Sequence, residues 1–264
     1  MSERLDAVVD AAREGGRLAL SLRGDLDRQI KDDGSIVTNA DLAVQELVVE
    51  RLSKLFPDVG MIGEEEGLRD LDGKDAIFAI DPIDGTDCYQ RGYPHFGVSI
   101  GLIEGDTCTL GVFYNPVLEM MYAVDTGERP TLNGRAFSIA EEQANHKTQE
   151  GPLLLAPSNF HRHFITDFRG KIRSLGSMAH HLCYVASGYA TATLAMNTHI
   201  WDVVAGVALI QAAGGAFKTL SGEPFDPRAY LHGGWLDEPF LGAVESRWDD
   251  VCRQITPKQN PSTI

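Results

Sequence analysis

The stretch that most limits what this chain can become runs from Ala76 to Thr86. Ala76-Ile77-Phe78-Ala79-Ile80 is a short, unbroken apolar run and reads as a buried strand. Asp81-Pro82-Ile83-Asp84-Gly85-Thr86 follows at once. Proline and glycine are turn residues, so the strand is expected to stop here. Two carboxylates, a backbone carbonyl and a hydroxyl would then leave a sheet edge together on one tight loop. Like charges at that range raise one another's pKa or recruit a cation. Oxygen donors on a stiff loop suit a hard divalent ion, Mg2+ above all. The simpler alternative for an Asp-Gly segment is a solvated turn.

The flanking chain supplies elements for such a sheet. Leu5, Val8, Val9, Ala12, Gly16, Ala19 and Leu20 recur at helical spacing, which predicts a helix over 3–23. After the polar stretch Lys31-Asp32-Asp33-Gly34-Ser35, Thr38 is a good N-cap, with Asp41 where a capping box places an acid. Ala40, Val44, Leu47, Val48, Leu52 and Leu55 continue that amphipathic helix to Pro57. Capping alone would account for Asp41. Val59–Gly63 reads as a strand running into Glu64-Glu65-Glu66, and segments 96–104, 107–114 and 119–125 alternate as in a meander.

The polar run 138–152 divides the chain into two halves. Residues 1–137 place two helices on a largely antiparallel sheet. In 138–264, strands interleave with helices as in a partly parallel, helix-covered sheet. Strands are expected near 153–156, 171–175, 189–195, 216–220 and 240–244. Helices are expected over 159–166, 178–187, 202–213 and 247–255, and the tail 257–264 should fray. Asp202, beside Trp201, opens the third of these helices, where N-capping alone would explain it.

Formal net charge is −15, which speaks against nucleic acid or an anionic membrane as partner. Cys88, Cys108, Cys183 and Cys252 form no C-x-x-C pair and no zinc spacing, as expected of reduced thiols in a cytoplasm. The first residues lack a basic segment followed by an apolar run, and no stretch approaches the ~20 apolar residues of a membrane span. There is no Walker-type phosphate loop. His161, His163, His180 and His181 read as surface or packing histidines.

Glu64, Asp81, Asp84 and Asp202 each end or begin a regular element, and in α/β sheets such ends are where sites form. Converged, they would hold two or three Mg2+ ions and leave coordination positions for a phosphate and a water. The Ile83 carbonyl is a further hard donor. Gly85 lets the backbone approach a phosphate, and Thr86 offers N–H and hydroxyl donors. Asp41 and Thr86 together could orient and deprotonate the water.

Lys31, Val37-Thr38-Asn39-Ala40-Asp41, Gly63-Glu64-Glu65, Asp81–Thr86 and Trp201-Asp202-Val203-Val204-Ala205-Gly206, in that order, resemble the inositol monophosphatase family of Mg2+-dependent, lithium-sensitive phosphatases. The likeness covers nearly the whole chain. It implies an α/β (α+β) fold, a layered α-β-α-β-α sandwich of the sugar/inositol phosphatase type, usually a homodimer. It implies one metal on Glu64, Asp81 and the Ile83 carbonyl, a second on Asp81, Asp84 and Asp202, and a weaker third on Glu64. Asp41 and Thr86 match the pair that activates water, and Gly85 and Thr86 meet the phosphate. Water attacks phosphorus directly, without a phosphoenzyme.

On the alcohol side, Ser158, Gly176, Ser177 and Met178 match pocket-lining positions, with Asp84 and Asp202 alongside. Inositol-hydrolysing members carry a glutamate seven residues before the W-D aspartate; here that position is Ala195. Losing such a carboxylate loses discrimination for the polyol. The small phosphate monoester is then an inositol, another cyclitol, a sugar, histidinol, a nucleotide such as 3'-phosphoadenosine 5'-phosphate, or fructose 1,6-bisphosphate, with Asn159, His161 and Arg162 as an alternative polar set. A regulatory metal-binding homologue acting on transcription or RNA partners is the rival class. The intact acid set and the negative charge weigh against it.

Overall fold

A computed structural model describes residues 2–30, 36–65, 67–145 and 151–258. Among these, an eight-stranded sheet takes the order Arg135–Ala136, Thr131–Leu132, Met120–Asp125, Thr107–Asn115, Gly97–Glu104, Ala76–Asp84, Gly60–Gly63, Arg69–Asp70. Its pairings are antiparallel except for Gly60–Gly63 beside Ala76–Asp84. Ile77 and Ala79 pack into the core on one face of this sheet, and Phe78 and Ile80 into the core on the other. That two-sided burial is why the apolar run lacks alternation.

Helices Glu3–Leu22 and Asn39–Leu55 cover one face, burying Leu5, Val8, Val44 and Val48 against the Phe78 side. Ile200–Ala212 lies on the other face and pairs with Met178–Ala186. Beyond them stands a five-stranded sheet in the order Lys171–Arg173, Leu153–Leu155, Ala192–Ala195, Phe240–Val244, Gly215–Thr219. Its first three strands are parallel and its last two antiparallel additions. Phe160–His163 and Trp248–Cys252 close the far side, around Leu154, Leu194, Leu241 and Trp248. The result is the layered α-β-α-β-α arrangement.

The helix Ile200–Ala212 is apolar almost all round, as a helix held between two sheets must be. It lies very close to the larger sheet. A Cβ on Gly111 would stand 2.2 Å from the Ala205 carbonyl oxygen, and one on Gly101 2.3 Å from Val204 Cγ1.

Several boundaries differ from the sequence reading. The strand from Ala76 does not stop at Pro82 but runs to Asp84. Asp81 faces Ser99 and Asp84 faces Gly97, so the register slips by one residue between them. Pro82 falls inside this bulge, where its missing N–H does no harm. The helix expected over 159–166 ends at His163, and Phe164–Thr166 becomes a strand paired antiparallel with Ile255–Pro257. The tail is therefore tied down through Pro257, and 259–264 lie outside the described residues. So do Lys31–Ser35, Glu66 and 146–150, the last within the polar run; Ile139–Asn145 is helical.

Candidate active site

The bulged end of Ala76–Asp84, the end of Gly60–Gly63 and the first turns of three helices meet around a cavity of about 730 Å³. Glu64, Asp81, Ile83, Asp84, Gly85 and Thr86 line it from one half of the chain. Ser158, Gly176, Ser177, Met178 and Asp202 line it from the other.

Asp41 does not line the cavity; it is fully buried beneath it. Its two oxygens divide their work. Oδ2 accepts from the Thr38 N–H at 2.8 Å and the Thr38 hydroxyl at 2.5 Å, which is the capping box. Oδ1 lies 3.1 Å from the Thr86 hydroxyl. The capping and functional readings of Asp41 are thus compatible. Burial raises its pKa above the usual carboxylate value, while the bonds from Thr38 and Thr86 pull it back. Thr86 Oγ1 is also 3.1 Å from the Ile83 carbonyl, and its single proton can serve only one of the two.

Gly85 turns the chain at φ 96°, between the strand and the short helix Thr86–Gln90. A Cβ there would press to 2.8 Å on the His95 carbonyl and 3.0 Å on the Gly176 carbonyl, so only glycine fits.

Asp84 is clasped by the helix Met178–Ala186. It accepts from the Ser177 hydroxyl at 2.5 Å, the Met178 N–H at 3.0 Å and the Ala179 N–H at 2.7 Å. A carboxylate belongs at a helix N-terminus, where backbone N–H groups and the dipole favour negative charge. Burial still pushes it up to about 6 against the pull of these donors.

Asp81 is 2% exposed and accepts from the Ile83 N–H at 3.0 Å. Asp202, in the first turn of Ile200–Ala212, accepts from the His199 N–H at 2.7 Å. Both pKa values are pushed well up, first by burial and then by the charges of Glu64 and Asp84. Glu64 sits at the strand end, its N–H bonded to the Ile80 carbonyl. Glu65 is buried behind it, its backbone held by Gln45.

Asp87 also lines the cavity, and no lysine or arginine does so among the described residues. Nor, among those residues, do three acid, histidine or cysteine side chains close on one ion-sized point. Chemically the set fits a hard cation: buried carboxylates repelling one another, beside a backbone carbonyl.

Ala195 is fully buried, opposite Phe240 in the smaller sheet, and does not line the cavity; its neighbour Met196 does. Asn159, His161 and Arg162 are not among the described lining residues either. The sequence reading missed His181, Thr198, His199 and Trp235, all of which line the cavity. For His181 a signal existed: it stands four residues after the N-cap Ser177, on the same helix face. For Trp235 there was none, because it arrives on a loop pinned by the Leu236 N–H to the Thr198 carbonyl at 2.8 Å.

Comparison with known proteins gives a match to the family model "Inositol monophosphatase family" over residues 1–239. A protein of Aquifex aeolicus named fructose-1,6-bisphosphatase/inositol-1-monophosphatase is 28% identical, covering 96% of this chain and 98% of its own. The Nus factor SuhB of Pasteurella multocida is 29% identical, covering 97% of each chain. Among solved structures, the Thermotoga maritima IMPase superposes with a TM-score of 0.81 at 26% identity, covering 96% of each chain.

Proposed function

The chain belongs to the inositol monophosphatase family, and from that premise we propose that it is a Mg2+-dependent phosphomonoesterase acting on a small phosphate ester. The observation that carries this is the charge of the cavity: Glu64, Asp81, Asp84, Asp87 and Asp202 with no described lysine or arginine among the lining. A phosphate dianion does not enter such a site unless cations enter with it. Glu64, Asp81 and the Ile83 carbonyl would hold one ion, and Asp81, Asp84 and Asp202 a second, with Glu64 toward a third. Bound Mg2+ would neutralise the acids, stabilise charge on the phosphoryl group and make a water more acidic.

The remaining work belongs to the chain. Thr86 Oγ1 accepts from the attacking water as its own proton turns toward Asp41 Oδ1. Asp41 is a fitting base, with its pKa raised by burial and its other oxygen pinned by Thr38. The water oxygen forms a bond to phosphorus, the ester P–O bond breaks, and the leaving alkoxide takes a proton from solvent while Asp41 later gives the one it took back to solvent, so that the alcohol and hydrogen phosphate are the products. Gly85 brings backbone close to the phosphate, and Ser158, Gly176, Ser177 and Met178 face the alcohol. The reading includes a cytoplasmic homodimer; all four cysteines are free thiols, and among the described residues no helix is long and apolar enough to cross a membrane.

The test is phosphate release from a panel of esters with Mg2+, after chelation, and with Mg2+ restored. Activity should vanish and return, and Li+ should inhibit where matched Na+ does not. A protein that hydrolyses no ester in the presence of Mg2+ overturns the reading.

A further inference from the structure

Two features of the alcohol side of the cavity are unused by the chemistry above. The first is a pair of buried polar atoms without a partner. His181 is 3% exposed, and its Nε2 accepts the Leu175 N–H at 3.0 Å. Burial lowers its pKa to about 3, so the ring is neutral. A neutral imidazole that accepts at Nε2 carries its proton on Nδ1. That Nδ1 is buried and bonded to nothing. The Thr198 hydroxyl, on a residue 6% exposed, is likewise without a partner, and both residues line the cavity. Buried donors are rarely left unsatisfied, and each such exception asks for a ligand.

The second feature is a cluster of flat rings. His199 lies parallel to Trp201, with centroids 4.7 Å apart and planes at 6°. The His199 centroid is also 3.9 Å from that of Trp235, whose ring is tilted by 41°. Trp201 is 8% exposed and Trp235 49%, so Trp235 is the outer ring of the cluster, and all three line the cavity. The thioether side chains Met178 and Met196 add soft apolar surface to the same lining. The segment is also locally strained: Asn197, another lining residue, takes φ 52°.

We propose that this side of the cavity is a subsite for an uncharged, planar heteroaromatic ring, which stacks on Trp235 and accepts a hydrogen bond from His181 Nδ1. The preferred ester is then a nucleoside-type monophosphate, not the phosphate of a saturated polyol. This rests on the phosphatase reading for its reaction but not for its binding. A cavity of about 730 Å³ has room for a ring of that size as well as a phosphate. The absence of lysine and arginine among the described lining residues disfavours a second phosphate on the ring side.

The experiment has a kinetic arm and a binding arm. In the first, kcat/KM is measured for adenosine 5'-monophosphate, myo-inositol 1-phosphate and glycerol 2-phosphate. The nucleotide should lead the inositol ester by about tenfold or more, and Trp235→Ala should remove most of that lead. His181→Gln keeps an acceptor for Leu175 and moves the donor away, so it should cut the lead by about three- to tenfold. His181→Asn keeps a donor near the Nδ1 position and should retain more of the lead than the glutamine variant. Equal loss in both variants would make His181 a prop for Leu175 and nothing more.

In the binding arm, adenosine is titrated calorimetrically into the Mg2+-loaded protein and into Trp235→Ala, whose affinity should be about tenfold weaker. If no ester is hydrolysed yet adenosine binds through Trp235, the phosphatase reading fails and the subsite stands. If esters are hydrolysed but the nucleotide has no lead and adenosine does not bind, the subsite is wrong and the phosphatase reading stands.

Discussion

Asp41 shows how one side chain can satisfy a local and a distant demand together. Its Oδ2 closes a capping box and its Oδ1 faces Thr86. Thr86→Ala should therefore lower kcat more than KM, since in the proposed reaction the hydroxyl acts on the attacking water and not on the bound ester. Asp41→Asn should do the same, and the two together should lose less than the product of the single losses. Full multiplication in the double variant would show that they are not a relay. Asp81→Asn should lower kcat by orders of magnitude while the fold persists. Asp84→Asn should behave differently. Its new amide must turn N–H groups toward the hydroxyl of Ser177 or the N–H groups of Met178 and Ala179, at about 1–3 kcal/mol of stability. Thermal melting separates the two, and an unshifted midpoint for Asp84→Asn would remove the clasp as a structural element.

At the scale of elements, local signals were readable where the chain's own pattern decides the outcome. The helix expected over 3–23 is Glu3–Leu22, and the cap at Thr38 opens Asn39–Leu55 as its sequence requires. Where a neighbour decides, the sequence misled. Pro82 breaks a strand only if a partner needs its N–H, and the bulge opposite Ser99 and Gly97 removes that need. His180 and His181 are adjacent in the chain and alike in sequence. Yet one sits among Phe113, Tyr184 and His95, and the other lines the cavity. Helix geometry separates their faces, but only the packed sheet says which face is which. The close seating of Ile200–Ala212 gives a stability test. Gly111→Ala should lower the melting midpoint, by about 1–3 kcal/mol of overpacking, because its methyl meets backbone and not a movable side chain. An unchanged midpoint would mean the helix can lift off the sheet at little cost.

At the scale of the molecule, the acids that share the cavity come from distant stretches: Glu64, Asp81 and Asp84 from the larger sheet, Asp202 from the helix beyond it. A cation bound among them favours the assembled chain over the unfolded one. Mg2+ at about a hundred times its dissociation constant should therefore add roughly 2.7 kcal/mol of stability. A melting curve indifferent to Mg2+, in a protein whose Asp81→Asn variant melts alike, would argue against ion binding at these acids. The acid motifs announced themselves in the sequence because each is compact. The ring cluster did not, because Trp235 joins His199 only through the folded loop held at Leu236.

The clasp of Ser177, Met178 and Ala179 on Asp84 also bears on how such a protein could change its diet. It fixes the first turn of the substrate-side helix to the acid loop, while His181, one turn further on, and the ring cluster lie outside that clasp. On the proposed reading, the alcohol-facing side chains beyond the clasp can then be rewritten like an interchangeable jaw, with the hydrolytic vice left in alignment. Swapping His181 and Trp235 for residues of other chemistry should move the enzyme to a different alcohol, whereas altering Ser177, which faces the alcohol but also holds Asp84, should blunt it toward every ester at once.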